Sequence, residues 1–323
     1  MSVKSLLGGA AVTALALAIA APAAAQEKLV TAIYKSGTQQ YFIDQAEGFE
    51  AAANELGYDS RIINVELDSN LAISAVSDAI AAGARGIGIT APDQALGPAV
   101  AAAAADADVA LVATDDRLQD GGGQDVPFVG FDGVDMGTRV GKAAAELLGE
   151  SSWMNDASYG VLSVEVQTLS VCNDRTDAAR AQLADIGVDA DRFIAVPYDG
   201  TANKALEAAG PAITANPSVD KWVVFACNDE GVLGTVNALQ NAGYGPDDGI
   251  AVGLGAYEAC RPWAAGVPTM FKAALYLSGA DVGDAAARAL INSIESGDPL
   301  PPNTVANTTI VTPETYADVM PCG

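Results

Sequence analysis

An alternation that runs through this chain twice restricts its fold most: a short apolar run, a polar end, then a stretch with helical spacing. Leu29–Tyr34 is such a run and stops at Lys35. Residues 40–56 then carry Phe42, Ala46, Phe49, Ala53 and Leu56 on one helical face, and Gly57 follows as a left-handed stop. Residues 59–67, 86–90, 109–113 and 126–131 read as further strands, with helices predicted over 71–82 and 96–105. Short links between such units imply a parallel sheet covered by helices on both faces.

The series restarts after Phe131. Helices are predicted over 137–148, 175–183, 202–213 (kinked at Pro211) and 231–242, and strands over 160–164, 193–196, 222–225 and 250–254. That is a second α/β domain with the same grammar as the first. The tail differs: a strand over 270–277, a helix over 281–296, a stiff turn at 299–302, a strand over 308–311 and a short helix over 313–319. With no sheet of their own, these elements are expected to rejoin the two earlier sheets, so the chain crosses between domains more than once.

Residues 1–25 stand outside this pattern. Lys4, the apolar run 6–20 and Ala23-Ala24-Ala25 before Gln26 make a secretory signal peptide. An uncleaved membrane anchor is the alternative, but the run is short for a span. Without a Cys after the cleavage site, lipid attachment is unsupported. Removing residues 1–25 of 323 leaves 298, enough for two domains, and losing Lys4 takes the net charge from −25 to −26. Such acidity argues against nucleic acid or an anionic membrane surface as partner. The chain has no His, so it lacks the usual general base and the commonest metal ligand; neither a metal nor a cofactor is expected. Cys172, Cys227, Cys260 and Cys322 fit no zinc spacing and allow three disulfide pairings. Cys172–Cys227 with Cys260–Cys322 is favoured, the first pair falling at neighbouring strand ends; free buried thiols are the alternative.

Candidate ligand residues stand where the strands end. Lys35 ends the first and Thr90 the third, while Asp115 and Asp116 follow the fourth. In the second half, Asn228-Asp229 and Glu258 follow two strands. Parallel strands point one way, so these groups gather along one edge of each sheet, where open α/β sheets bind ligands. Two such edges facing each other make a polar cleft. Lys35, Arg175 and Asn228 supply donors; Asp115, Asp116 and Glu258 supply acceptors; Tyr41 and Phe42 offer flat apolar faces. That mixture suits a neutral polyhydroxylated ligand better than a single anion. Each residue also has a plainer role: Asn228 as an N-cap, Tyr41 and Phe42 as helix core, the charges as solvated surface. Because neighbours on a strand point to opposite faces, Asp115 and Asp116 are not expected to flank one bond as a glycosidase pair would.

With these residues in place, the chain resembles the periplasmic sugar-binding proteins of the pentose and hexose class, and within them the arabinose-binding members. Thr90-Ala91-Pro92-Asp93, Ala113-Thr114-Asp115-Asp116, Asn228-Asp229-Glu230-Gly231-Val232-Leu233-Gly234 and Ile310-Val311-Thr312-Pro313 carry the likeness, over about residues 28–320. The resemblance implies a type I periplasmic-binding fold, α/β, with two doubly wound parallel-sheet domains joined by a three-segment hinge. Its lobes would be 26–132 plus 278–304 and 133–277 plus 305–323, with crossings near 132–134, 276–279 and 303–306. It places Lys35, Asp115, Asp116, Arg175 and Asn228 on matching ligand positions, Tyr41 where a Trp stacks, Phe42 on a Phe, and Thr90 and Phe131 in the pocket lining. Gln39, Gly255 and Glu258 depart from that pattern, which has Glu, a ligand-binding Asn and Asp there. The implied function is the solute-binding component of an ABC importer, a periplasmic monomer. It would close on L-arabinose or a similar aldose such as D-galactose or D-fucose, dock on a membrane permease, and do no chemistry. A sugar-responsive transcription regulator would need a basic DNA-binding segment in place of the export signal. A secreted glycosidase would need turnover of aryl-glycosides. A chemoreceptor-facing role shares the binding step.

Overall fold

The computed structural model describes residues 28–156, 158–320 and 322; the signal peptide expected over 1–25 lies outside them. The first elements are β1 (Leu29–Tyr34), α1 (Gln40–Glu55), β2 (Asp59–Asn64), α2 (Ser69–Ala81), β3 (Gly86–Ile89), α3 (Gly97–Asp106), β4 (Ala110–Thr114) and β5 (Phe128–Gly130). Then come α4 (Gly133–Glu150), α5 (Trp153–Asp156), β6 (Tyr159–Glu165), α6 (Ser170–Asp185), β7 (Phe193–Pro197), α7 (Ala202–Thr214), β8 (Lys221–Ala226), α8 (Asp229–Asn241), β9 (Gly249–Gly255) and α9 (Tyr257–Ala264). The tail holds β10 (Phe271–Leu277), α10 (Gly279–Ser296), β11 (Asn303–Val305) and β12 (Thr308–Val311).

These strands build two sheets, ordered β11-β5-β4-β3-β1-β2 and β12-β10-β9-β8-β6-β7. Both are parallel throughout except where β12 runs antiparallel to β10. Central strands such as β3 and β9 are buried along their whole length, while the edge strand β2 is partly exposed. Helix layers on both faces account for the unbroken apolar runs. The chain passes between the sheets after β5, after β10 and between β11 and β12. Val305 still pairs with Gly130 and Thr308 already pairs with Leu277, so the last crossing narrows to Ala306-Asn307.

Two helix contacts set the ligand edge. α1 crosses α10 so closely that a Cβ at Gly48 would strike the Ala280 carbonyl, and one at Gly283 the Gln45 carbonyl. α6 lies as tightly on α4, where Gly137 meets the Arg175 carbonyl. Some bounds differ from the sequence pattern: β2 stops at Asn64, not 67, and two helices start well before their apolar periodicity does. α4 begins at Gly133, not 137, because the Asp132 carboxylate accepts from the Asp135 amide at 2.8 Å. α6 begins at Ser170, not 175, so Cys172 sits in a helical turn and not at a strand end. α9, with Pro262 inside it, is a helix the apolar periodicity does not show, and 313–319 forms only a 3₁₀ turn at Tyr316–Asp318. Disulfides join Cys172 to Cys227 and Cys260 to Cys322, with Cα–Cα distances of 4.8 and 5.8 Å.

Candidate functional site

The carboxyl ends of β1 and β4 face those of β8 and β9 across a cavity of about 530 Å³. Seven of the ten residues expected at the ligand line it: Lys35, Tyr41, Phe42, Asp115, Asp116, Arg175 and Asn228.

Asp115 and Asp116 meet the expectation of position but not that of direction. β4 ends at Thr114, and Asp115 then takes the left-handed conformation at φ 59°. The Asp116 amide turns back to donate to the Thr114 carbonyl at 2.6 Å. Strand alternation therefore stops one residue before the pair, and both carboxylates reach Lys35: Asp115 at 3.4 Å and Asp116 in a shorter contact. Burial alone would pull the Lys35 ammonium down, but the Asp116 and Asp115 charges outweigh it and hold the ammonium above its usual range. Burial pushes the Asp116 carboxyl up, against the pull of Lys35. Lys35 also stands 5.5 Å above the Phe42 ring.

Arg175 reaches the same point from the second lobe. Its Nη2 lies 3.6 Å from Asp115 Oδ1, and its Nη1 donates to the Cys227 carbonyl at 3.1 Å. Two glutamines also span the lobes. Gln39 Nε2 donates to the Gly200 carbonyl at 3.4 Å, and Gln94 Oε1 accepts from the Ser170 amide at 3.0 Å and its hydroxyl at 2.9 Å. Asn228 combines both roles weighed for it. It N-caps α8, its Oδ1 accepting from the Gly231 amide at 2.9 Å, and it lines the cavity. Its Nδ2 donates to the Gly200 carbonyl at 2.9 Å.

Thr90, Phe131 and Glu258 do not line the cavity. Thr90, the first residue after β3, is fully buried, its hydroxyl bonded to that of Thr114 at 2.7 Å. Phe131 stands behind Tyr41, with ring centroids 6.2 Å apart. Glu258 sits in the first turn of α9 and pairs with Arg261 at 3.0 Å, opening on a neighbouring smaller cleft.

Among the other lining residues, Tyr198, Glu230 and Tyr257 were not expected at the ligand, and Asp229 was noted only as the strand-end neighbour of Asn228. Tyr198 directly follows β7, so the strand-end rule selects it once that strand is carried to Pro197. Asp229 and Glu230 start α8 immediately after Asn228, where a helix N-terminus favours carboxylates. Burial lifts Asp229 to about 7, although its Oδ2 accepts from the Glu258 amide at 2.6 Å. Burial and then Asp229 itself lift Glu230 to about 8. Tyr257 opens the unexpected α9 and meets Tyr41 across the cleft, centroids 6.4 Å apart.

Several polar atoms here are buried without a protein partner: Asp116 Oδ1, Arg175 Nε, Tyr41 Oη and Asp229 Oδ1. Each such group costs about 1–3 kcal/mol unless something pairs with it. Acceptors, a guanidinium donor and aromatic faces that converge from two lobes could pair with a small polar molecule.

Two doubly wound α/β lobes with a cavity between their strand ends are the architecture of a small-molecule binding protein. The chain belongs to the periplasmic binding protein family, whose model, described as a periplasmic binding protein domain, matches residues 30–298. The ABC transporter L-arabinose-binding periplasmic protein of Azospirillum brasilense is 30% identical over 319 residues, 96% of this chain and 94% of its own. The L-arabinose-binding periplasmic protein of Escherichia coli (strain K12) is 26% identical over 231 residues, 70% of each chain. Among solved structures, an ABC transporter periplasmic solute-binding protein from Actinobacillus succinogenes 130z with bound D-allose shares the fold. Its TM-score is 0.76 at 18% identity, over 90% of this chain and 100% of that one. The Caulobacter myo-inositol binding protein bound to myo-inositol gives a TM-score of 0.75 at 20% identity, over 90% and 95%.

Proposed function

We propose that this protein is the solute-binding component of an ABC importer and captures a monosaccharide in the periplasm, L-arabinose or a similar aldose such as D-galactose or D-fucose. The observation that carries this is the set of unpartnered buried donors and acceptors contributed by both lobes to one cavity. A sugar hydroxyl both donates and accepts, so it can meet the Asp116 carboxylate and the Arg175 guanidinium alike. Tyr41 and Phe42 offer flat faces to the ring's C–H side. The names of the two relatives favour arabinose, whereas the neighbours' ligands, D-allose and myo-inositol, have in common only a ring of hydroxyls.

In this account the chain is exported, cleaved near Ala25, and acts as a monomer without chemistry on the ligand. Its lobes, 26–132 plus 278–305 and 133–277 plus 308–323, part at the three crossings and close when sugar links Lys35, Asp115 and Asp116 to Arg175 and Asn228. Thr90, Phe131 and Glu258 back that wall. The closed form docks on a membrane permease. A thermal-shift screen of residues 26–323 against pentoses and hexoses tests it: one or a few aldoses should stabilise the protein. A screen in which no sugar does so would refute the proposal.

A further inference from the structure

The second lobe meets the cavity with two segments that belong to different helix layers. Val161, Val223 and Phe225 pack toward α4 and α6, while Leu162, Trp222 and Val224 of the same strands pack toward α7 and α8. Arg175 thus comes from one face of the sheet, and Asn228 and Asp229 lead into the other. The Cys172–Cys227 disulfide joins the two over the sheet's ligand edge. Cys172 lies three residues before Arg175, Cys227 immediately precedes Asn228, and both cysteines line the cavity.

On its own face of the sheet the start of α6 lies against α4, with Gly133 beside Val171 and Asp174 and Gly137 on the Arg175 carbonyl; toward Asn228 and Asp229 its one covalent tie is this bridge. Leu169, at its N-cap position, supplies no side-chain cap, so the Ser170 amide is met by Gln94 of the opposite lobe. Around the bridge itself the apolar cluster is small: Val166, Cys172 and Cys227 with Leu169 and Tyr198 beside them. The Arg175 guanidinium itself rests on the carbonyl of the bridged Cys227.

We propose that the Cys172–Cys227 disulfide is a positioning element of the ligand site. It holds Arg175 in register with Asn228 and Asp229 while the lobes are apart and Gln94 is withdrawn. The sugar-affinity part of this rests on the monosaccharide proposal above; the positioning of α6 does not. Cys260–Cys322 provides a matched control. Its sequence separation is 62 against 55, so in the chain-entropy model the two bridges restrict the unfolded chain almost equally.

The test compares wild type, C172A/C227A and C260A/C322A by calorimetric titration with L-arabinose, D-galactose and D-fucose, and by hydrogen exchange of the ligand-free proteins. In C172A/C227A, affinity should fall at least tenfold and the amides of 170–176 should exchange faster. In C260A/C322A both should stay at wild-type values, although both variants lose thermal stability. Unchanged affinity and exchange in C172A/C227A would overturn the proposal, as would equal losses in the two variants. A wild type that binds none of the sugars counts against the monosaccharide proposal alone, because exchange over 170–176 still decides the positioning. Should C172A/C227A fail to fold, phosphine reduction of C260A/C322A, which keeps only the Cys172–Cys227 bridge, provides the same comparison with the same outcomes.

Discussion

Asp116→Ala tests the ligand site most directly. Asp116 is fully buried; one oxygen is engaged with Lys35 and the other has no protein partner. Its removal takes away at least one charge-assisted hydrogen bond to the sugar, about 1.5–3 kcal/mol. It also loosens Lys35, which keeps only Asp115 at 3.4 Å. Together these come to about 3 kcal/mol, or roughly 100-fold in Kd. At a sugar concentration of about 100 times the wild-type Kd, wild type should gain about 2.7 kcal/mol, an upward shift of about 5–10 °C in Tm. The variant would then sit at about its own Kd, gain about 0.4 kcal/mol and shift by about 1 °C. Thermal shift measures this, and calorimetric titration checks the Kd. A variant with a wild-type ligand-free Tm that keeps more than half of the sugar-induced shift would refute the placement of the site.

Arg175→Ala should also abolish the shift, since it removes the second lobe's buried guanidinium; a retained shift in titrations with the same sugars would speak against closure over Arg175. Gln94→Ala removes a helix cap that exists only when the lobes meet. A loss of about 1 kcal/mol is expected, about fivefold in affinity by calorimetry with the ligand-free Tm unmoved; unchanged affinity would show that the contact does not favour closure. For pH, burial raises Asp229 from its ordinary 3.8 to about 7. The folded protein holds that proton more tightly than the unfolded chain. Its contribution to stability is therefore complete below about pH 4 and is lost as pH rises through 7. The ligand-free Tm should fall across that window, and less so in Asp229→Asn; equal slopes in the two proteins would contradict the assignment.

Much of this was visible in the order of residue types. Lys35, Asp115, Asp116 and Asn228 were legible because a parallel strand ends where its apolar run ends, and the polar residue that follows has to face the sheet's edge. What a run cannot show is where the backbone goes next. The left-handed turn at Asp115 aims two adjacent carboxylates at one ammonium, against the alternation a strand would impose. Thr90 and Glu258 look the same in sequence yet miss the cavity, the first because its hydroxyl is turned onto Thr114 at the end of the next strand, the second because α9 carries it to a neighbouring cleft.

Apolar periodicity and polar strand ends, which are local, were enough to establish two α/β units, their approximate strands and several of the charged and polar residues that line the cavity. Partnership across the cleft was not local. Arg175 on Asp115, Gln94 on the start of α6 and Tyr41 against Tyr257 each join residues at least 60 positions apart. Such contacts depend on how tightly α1 lies on α10 and α6 on α4, and on how two separately wound sheets are set face to face, so only the tertiary structure could decide them.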